Sequence, residues 1–150
     1  MAANIQLTFW NARTLTPHKW NTLIYKHLPL NKNTIIFISE SRITQSTILT
    51  LTKTHTIISN ELHTLTFAIP LHTTVTDTTI STEFALGVTL NIWHTNINII
   101  GTHLANNVST RTHQAHHITH TIKHINTPII VGGDFNDITS KLDTDKQNPQ

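Results

Sequence analysis

Apolar residues in the first third of the chain recur at two different spacings. Residues 5–10 and 34–38 are apolar or β-branched runs of strand length. Between them, residues 17–28 carry apolar side chains every three or four positions, and Pro17 suits the first turn of a helix. The pattern therefore predicts a strand, a helix and a second strand.

The middle of the chain favours sheet. Residues 44–53 are weakly helical and follow the second predicted strand. Four later runs have the length and composition of strands and lie at residues 55–59, 65–69, 84–93 and 96–102. Residues 60–61 resemble a turn, and residues 94–95 are predicted to close a tight hairpin.

The clearest predicted helix covers residues 110–125. Its apolar stripe, at about 100° per residue, consists of Ala115, Ile118, Ile122 and Ile125. Pro128 follows, and residues 129–131 read as a buried last strand, after which Gly132 and Gly133 are expected to turn the backbone. This order of elements predicts an α/β layered sandwich with a mixed sheet and flanking helices.

The domain boundary is predicted near residue 138. Residues 139–150 are polar and offer no apolar pattern to bury, so we expect a disordered tail or a cut connection. Nothing after the last predicted strand could cover a second face of the sheet. Residues 1–138 are therefore interpreted as the N-terminal part of a larger domain, truncated after the strand that carries Asp134.

Composition excludes several kinds of site. With 150 residues and 0 cysteines, the chain has room for one domain and none for disulfides, zinc–cysteine sites or thiol nucleophiles. Only 12% of residues are charged and the net charge is +2, so charge alone does not indicate nucleic-acid binding. No apolar run reaches the roughly 20 residues of a membrane span, and no signal peptide is evident. No membrane partner is expected, and an intracellular compartment, nuclear or cytoplasmic, is allowed but not specified.

The chain contains 12 histidines, which weakens any argument from a single one. Four of them fall on the face of the predicted 110–125 helix opposite its apolar stripe: His113, His117, His120 and His124. Histidines four residues apart can bind zinc or similar metals, so this stripe is either a transition-metal site or a solvated helix face. The solvated face is the simpler interpretation.

Polar groups that suit phosphate chemistry follow four of the predicted strands. They are Asn11, Glu40, His103, Asp134 and Asn136. Phosphodiester hydrolysis needs a metal, a group that activates water and donors that hold the transition state. Magnesium prefers one or two carboxylates plus water and substrate oxygens, which makes Glu40 and Asp134 the best candidate carboxylates. We expect all these groups to meet at one rim of a sheet.

The same segments carry a resemblance to a known superfamily. In chain order they are Trp10-Asn11-Ala12-Arg13, Ile38-Ser39-Glu40-Ser41, Thr102-His103-Leu104, the Arg111 to Gln114 spacing and Gly133-Asp134-Phe135-Asn136. This order resembles the endonuclease/exonuclease/phosphatase superfamily, which includes deoxyribonuclease I. The opening of the chain is most similar to the endonuclease domains of non-LTR retrotransposons.

The resemblance implies a deoxyribonuclease I-like fold and a metal-dependent DNA endonuclease. It places Asn11 and Glu40 at a magnesium ion, with manganese as a substitute, and His103 on the phosphate side. Asp134 and Asn136 would be catalytic groups that orient the nucleophile and the phosphate. The superfamily's C-terminal Asp-His pair has no counterpart here, so a missing C-terminal half, or a reverse transcriptase domain in the parent protein, is expected to complete the chain.

Two other functions remain open. The chain could be a catalytically inactive truncated relic or an interaction module, or it could be a phosphatase of the same superfamily. Trp10, Trp20 and Trp93 are expected in the core rather than as base-stacking platforms, because each lies in an apolar pattern. Arg111 falls on the apolar side of its helix and is expected to pack inside the fold.

Overall fold

Two four-stranded sheets form the framework of the protein in a computed structural model that describes residues 5–27 and 33–136. The first sheet has the order β1-β2-β4-β3 and consists of β1 (Gln6–Asn11), β2 (Thr34–Ser39), β3 (His55–Ser59) and β4 (Leu65–Pro70). The second has the order β5-β6-β7-β8 and consists of β5 (Thr74–Ser81), β6 (Ala85–Ile92), β7 (Thr95–His103) and β8 (Ile129–Asp134). The single mixed sheet that the sequence predicts is therefore wrong: the strands form two sheets, and each of them is mixed.

In the described part of the chain, three α-helices connect and cover the sheets: α1 (Pro17–Thr22), α2 (Gln45–Leu51) and α3 (Val108–Ile122). A π-helical turn, Leu23–His27, continues α1, and residue 28 of the predicted helix lies outside the described residues. Each α-helix begins with a side-chain cap, because the oxygens of Thr16, Thr44 and Asn107 each accept a hydrogen bond from the amide three residues later.

Parallel pairs lie at corresponding edges of the two sheets. β1 pairs parallel with β2, and β7 pairs parallel with β8, whereas every other pair is antiparallel. Parallel neighbours need a crossover, and α1 and α3 provide the helical part of those two connections. The predicted α/β sandwich is confirmed, and its helices lie on the outer faces of the two sheets.

Three apolar clusters hold these layers together. Between the sheets, fully buried side chains such as Phe37, Phe67 and Leu86 form the central cluster. Trp20 and Leu51 pack helices α1 and α2 on the outer face of the first sheet. Ile118 of α3 packs on the outer face of the second sheet.

The sequence prediction is right for Trp20 and Trp10, which pack in the second cluster, and wrong for Trp93, which is 58% exposed.

Trp93 is exposed because it lies in the β6–β7 hairpin turn. The turn consists of Trp93 and His94, with φ angles of 50° and 65°, rather than residues 94–95 as predicted. Positive φ at both positions is the conformation that matches the twist of a two-residue hairpin. Strand β5 was not predicted at all, because it is a largely polar edge strand with two register irregularities.

Strand β8 does not turn at its two glycines. It continues through Gly132 and Gly133 to Asp134, which contradicts the predicted turn. A Cβ on Gly132 would lie 2.2 Å from the Phe9 ring, and one on Gly133, at φ 123°, would lie 2.2 Å from the carbonyl oxygen of Thr102. The glycines therefore allow close packing of the strand on its neighbours. Ile130 is 46% exposed, so this edge strand is only partly buried.

Candidate functional site

The strands of the two sheets that carry the predicted site residues run in the same direction. The residues where β1, β2, β7 and β8 begin line one cavity of about 340 Å³ between the sheets, at Ile5, Leu7, Ile35, Ile97, Ile99 and Ile130. Because the starts of these strands meet there, their carboxyl ends lie together at the opposite end of the sandwich. We call that end the rim. It is defined by the last residues of the four strands, Asn11, Ser39, His103 and Asp134, and it includes Glu40 and Asn136, which follow two of them.

The rim residues face one another across the sandwich. Phe9 and Gly132 are in contact between the sheets, and so are Phe37 and Gly101. Side chains two residues apart on a strand point to the same face. The residues two positions further along each strand are the four that define the rim, so these also project into the space between the sheets. The prediction of one rim on a single sheet is wrong in this respect, because the strand ends belong to two sheets.

Asn11 and Glu40 are brought together on the first sheet. Asn11 is the register partner of Ser39, which immediately precedes Glu40. The two chains continue side by side, because the amides of Ala12 and Thr14 donate to the carbonyl oxygens of Ser39 and Glu40 at 3.0 and 2.7 Å. Glu40 adopts a φ of 49°, an uncommon conformation for a non-glycine residue and one that is often found at functional sites.

Two cations that the sequence did not single out support this part of the rim. The Nζ of Lys19 donates to the carbonyl oxygens of residues 12, 13 and 14 at 2.9, 2.9 and 3.0 Å. Arg42 lies 3.7 Å from the Glu40 carboxylate and donates to Thr14 Oγ1 at 3.4 Å.

Asp134 and Asn136 form a compact turn at the end of β8. The amide of Asn136 donates to Asp134 Oδ1 at 2.9 Å, and its side-chain Nδ2 donates to the Leu104 carbonyl oxygen at 2.5 Å. The Leu104 amide in turn donates to the Asp134 carbonyl oxygen at 2.9 Å. Asn136 has a φ of 43°, which asparagine tolerates better than most residues. The hydrogen bonds with Leu104 therefore hold the turn against the segment that follows His103.

His103 lies beside Asp134 as its register partner on β7. Its backbone amide donates to the Phe84 carbonyl oxygen at 2.9 Å. Its Nδ1 atom is buried and has no hydrogen-bond partner among residues 5–27 and 33–136. A buried polar atom without a hydrogen bond is costly, and because Nδ1 is covered by protein atoms it is not accessible to a ligand in this structure.

Arg111 and Gln114 hold the loop that follows β7. Both side chains are buried, as predicted for Arg111. The Arg111 guanidinium donates to the Asn106 carbonyl oxygen at 3.1 Å, and Gln114 Oε1 accepts from the Ala105 amide at 2.8 Å. They therefore position the segment beside Asn136 and are not free to bind phosphate.

The donor set at the rim suits a hard cation. Within residues 5–27 and 33–136, no group of three or more histidines, aspartates or glutamates is placed to hold a metal. Mg²⁺ typically takes only one or two protein carboxylates, with water and substrate oxygens completing its shell. Asp134 is exposed and Glu40 is half-buried, so both carboxylates have access to solvent. The rim therefore fits magnesium better than a metal that requires several protein ligands.

The helices of the described segments are short. None of them is long and apolar enough to cross a membrane.

Comparison with solved structures identifies the fold. The protein has a deoxyribonuclease I-like fold, as the sequence resemblance implied. By sequence, the chain matches no family model and no curated protein.

Three similar structures illustrate the match. TDP2 of D. rerio, solved with a single-strand DNA product, superposes with a TM-score of 0.69 at 16% identity over 89% of this chain. The human Nocturnin catalytic domain, with a bound sulfate anion, gives 0.60 at 18% identity over 89%. Beta toxin of Staphylococcus aureus gives 0.63 at 12% identity over 89%. This chain spans 61%, 64% and 66% of those three structures, respectively.

Proposed function

We propose that the rim is the metal and phosphate side of a metal-dependent phosphodiesterase. The observation that carries the proposal is the convergence of Asn11, Glu40, His103 and Asp134 at the ends of four codirectional strands. Two carboxylates, two carboxamides and a histidine provide both metal ligands and phosphate donors. The deoxyribonuclease I-like fold supports this reaction class.

Each residue has a distinct role in the proposal. Glu40 and Asn11 hold magnesium, or manganese in its place, and the metal offsets negative charge on the phosphoryl oxygens. His103 donates a hydrogen bond to the phosphate through its other ring nitrogen, Nε2. Asp134 and Asn136 orient the nucleophile and the phosphate, and the hydrogen bonds between them and Leu104 keep both groups in place.

We propose DNA as the substrate, cleaved by a retroelement-type endonuclease. The segment from Trp10 to Arg13 resembles that class, and D. rerio TDP2 was solved with a single-strand DNA product. Arg13 and Arg42 are exposed beside the rim, where cations attract a polyanionic backbone.

We further propose that the chain functions within a longer domain whose remaining part pairs with β8. Strand β5, the opposite edge of that sheet, carries Asp77 and two register irregularities, which discourage further pairing. The β8 edge carries no charge from Ile129 to Gly133, and Ile130 is exposed. The incomplete coverage of the similar structures supports the same proposal. Hydrogen exchange should show β8 amides better protected in a longer polypeptide from the same reading frame; equal protection would contradict this.

Nicking of supercoiled plasmid tests the activity. We expect the chain, or the longer polypeptide, to nick DNA with Mg²⁺ but not with EDTA, and Asp134→Asn to lower the rate by about 100-fold or more. Asp77→Asn is the matched control, because Asp77 is an exposed carboxylate on β5. If neither protein nicks DNA, or if both variants behave alike, the proposal is wrong. Turnover of small phosphate monoesters instead of DNA would identify a phosphatase.

A further inference from the structure

Helix α3 presents a histidine-rich face to solvent. Four histidines of the helix are exposed there, His113, His116, His117 and His120, and His124 is exposed just past its end. The helix packs on the second sheet through its other face, where Arg111, Gln114 and Ile118 are buried. The histidine stripe is therefore exposed to solvent, as the simpler interpretation of the sequence predicts.

Two of these histidines already lie against each other. The rings of His120 and His124 have their centroids 5.1 Å apart, at an interplanar angle of 78°. They are four residues apart: His120 lies in the last turn of α3, and His124 lies in the turn that follows the Lys123 C-cap, where its amide donates to the Thr121 carbonyl oxygen at 3.2 Å. His117, in contrast, has its ring packed edge-on against Phe84, 5.5 Å between centroids.

We propose that His120 and His124 form a two-histidine chelate for a borderline divalent cation, such as Cu²⁺, Ni²⁺ or Zn²⁺, with water completing the shell. Neutral imidazole nitrogens at positions i and i+4 of a helix can bind one such ion. Because the two rings are already adjacent, little side-chain freedom is lost on binding. The ion would also lie at the C-terminal end of α3, where the helix dipole favours positive charge.

This site is separate from the rim in position and in chemistry. It lies five residues before β8 begins, at the strand-start end of the sandwich, whereas the rim lies where the strands end. Imidazole ligands suit copper, nickel and zinc, while oxygen ligands at the rim suit magnesium. A bound ion would stabilise the last turn of α3, which leads directly into the strand that carries Asp134.

Metal titration of the untagged chain tests the chelate. We expect Cu²⁺ and Ni²⁺ to raise the midpoint of thermal unfolding, and excess Mg²⁺ to leave that effect unchanged. His120→Ala and His124→Ala should each weaken binding by about tenfold or more, as measured by calorimetric titration with Ni²⁺. Both positions are exposed and alanine favours helix, so circular dichroism should show that both variants remain folded.

His113→Ala is the matched control, since His113 is exposed on the same helix but lies two turns away. It should change the Ni²⁺ affinity by less than about twofold. Equal losses for all three variants would mean diffuse binding along the stripe, and no loss for His120→Ala would remove the chelate; either result overturns the inference. Neither outcome bears on Asp134-dependent nicking, so this site and the proposed activity fail independently.

Discussion

Gly101 and Phe37 lie so close across the two sheets that a Cβ on Gly101 would come within 2.1 Å of the Phe37 ring. Gly132 and Phe9 make the equivalent contact on the neighbouring pair of strands, at 2.2 Å. Together these contacts form the packed layer directly beneath the rim. The spacing of the two sheets at the candidate site therefore depends on side chains being absent at Gly101 and Gly132.

Substituting the two glycines should give unequal results. Phe37 is 1% exposed and cannot move away, whereas Phe9 is 37% exposed and can rotate outward. Gly101→Ala should therefore lower the free energy of unfolding by about 1–3 kcal/mol, and Gly132→Ala by clearly less. Urea denaturation of both variants measures the difference. A larger loss for Gly132→Ala would show that the sheets are not packed in this way.

Removing the Lys19 amine should loosen the loop that follows Asn11. Its Nζ is the donor to three consecutive carbonyl oxygens, and hydrogen bonds from charged donors are stronger than neutral ones. We expect Lys19→Met to destabilise the protein by about 1.5–3 kcal/mol and to speed hydrogen exchange at the Thr14 amide. Lys53→Met, at an exposed position, is the control and should change neither quantity. Similar behaviour of the two variants would count against this role of Lys19.

Asn136 should be required for the turn that holds Asp134. In Asn136→Asp the carboxylate cannot donate to the Leu104 carbonyl oxygen, although it preserves the tolerance for positive φ. The expected loss of stability is about 1–3 kcal/mol. Asn126→Asp makes the same charge change at an exposed position and should be nearly neutral. Thermal or urea unfolding compares the two, and equal stabilities would contradict the proposed link.

Protonation of His55 should make stability depend on pH. Burial lowers the pKa of His55 below its ordinary value of 6.5, and its ring packs edge-on against Trp20. The unfolded chain therefore takes up this proton at a higher pH than the folded chain does. The free energy of unfolding should fall as pH decreases below about 6.5.

His55→Phe keeps an aromatic ring and removes this titration. Its unfolding free energy should change less between pH 8 and pH 5.5 than that of the wild type, as followed by urea denaturation. His116→Phe, at an exposed position, serves as the control and should keep the wild-type pH dependence. If His55→Phe and the wild type lose the same stability on acidification, burial of His55 is not the cause.

Strand spacing and β-branched runs were enough to predict the core strands of the fold. Strands β2 and β3 were located because their β-branched runs have strand length, and helix α3 because its apolar residues recur on one face. Strand β5 could not be found in this way, since an edge strand with two register irregularities buries little and shows no clean alternation. The division into two sheets also depends on tertiary pairing that no local pattern encodes.

The sequence was enough to choose the candidate site residues, but not to show how the fold brings them together. Polar residues directly after apolar strands identified Asn11 and His103, because parallel strand ends share an edge. The roles of Lys19 and Gly132 depend on the close approach of distant segments, which the sequence does not display. Trp93 was misplaced because its neighbours are apolar, while its own position is a hairpin turn.

Binding of Mn²⁺ at the rim tests the central claim most directly. Electron paramagnetic resonance of free Mn²⁺, titrated with the chain, should report a bound ion that excess Mg²⁺ displaces. Glu40→Gln and Asp134→Asn should each weaken that binding, whereas Asp77→Asn and a combined His120→Ala and His124→Ala variant should retain it. No Mn²⁺ binding, or binding that is unaffected by both rim substitutions, would contradict the account of the rim as a metal-dependent phosphodiester site.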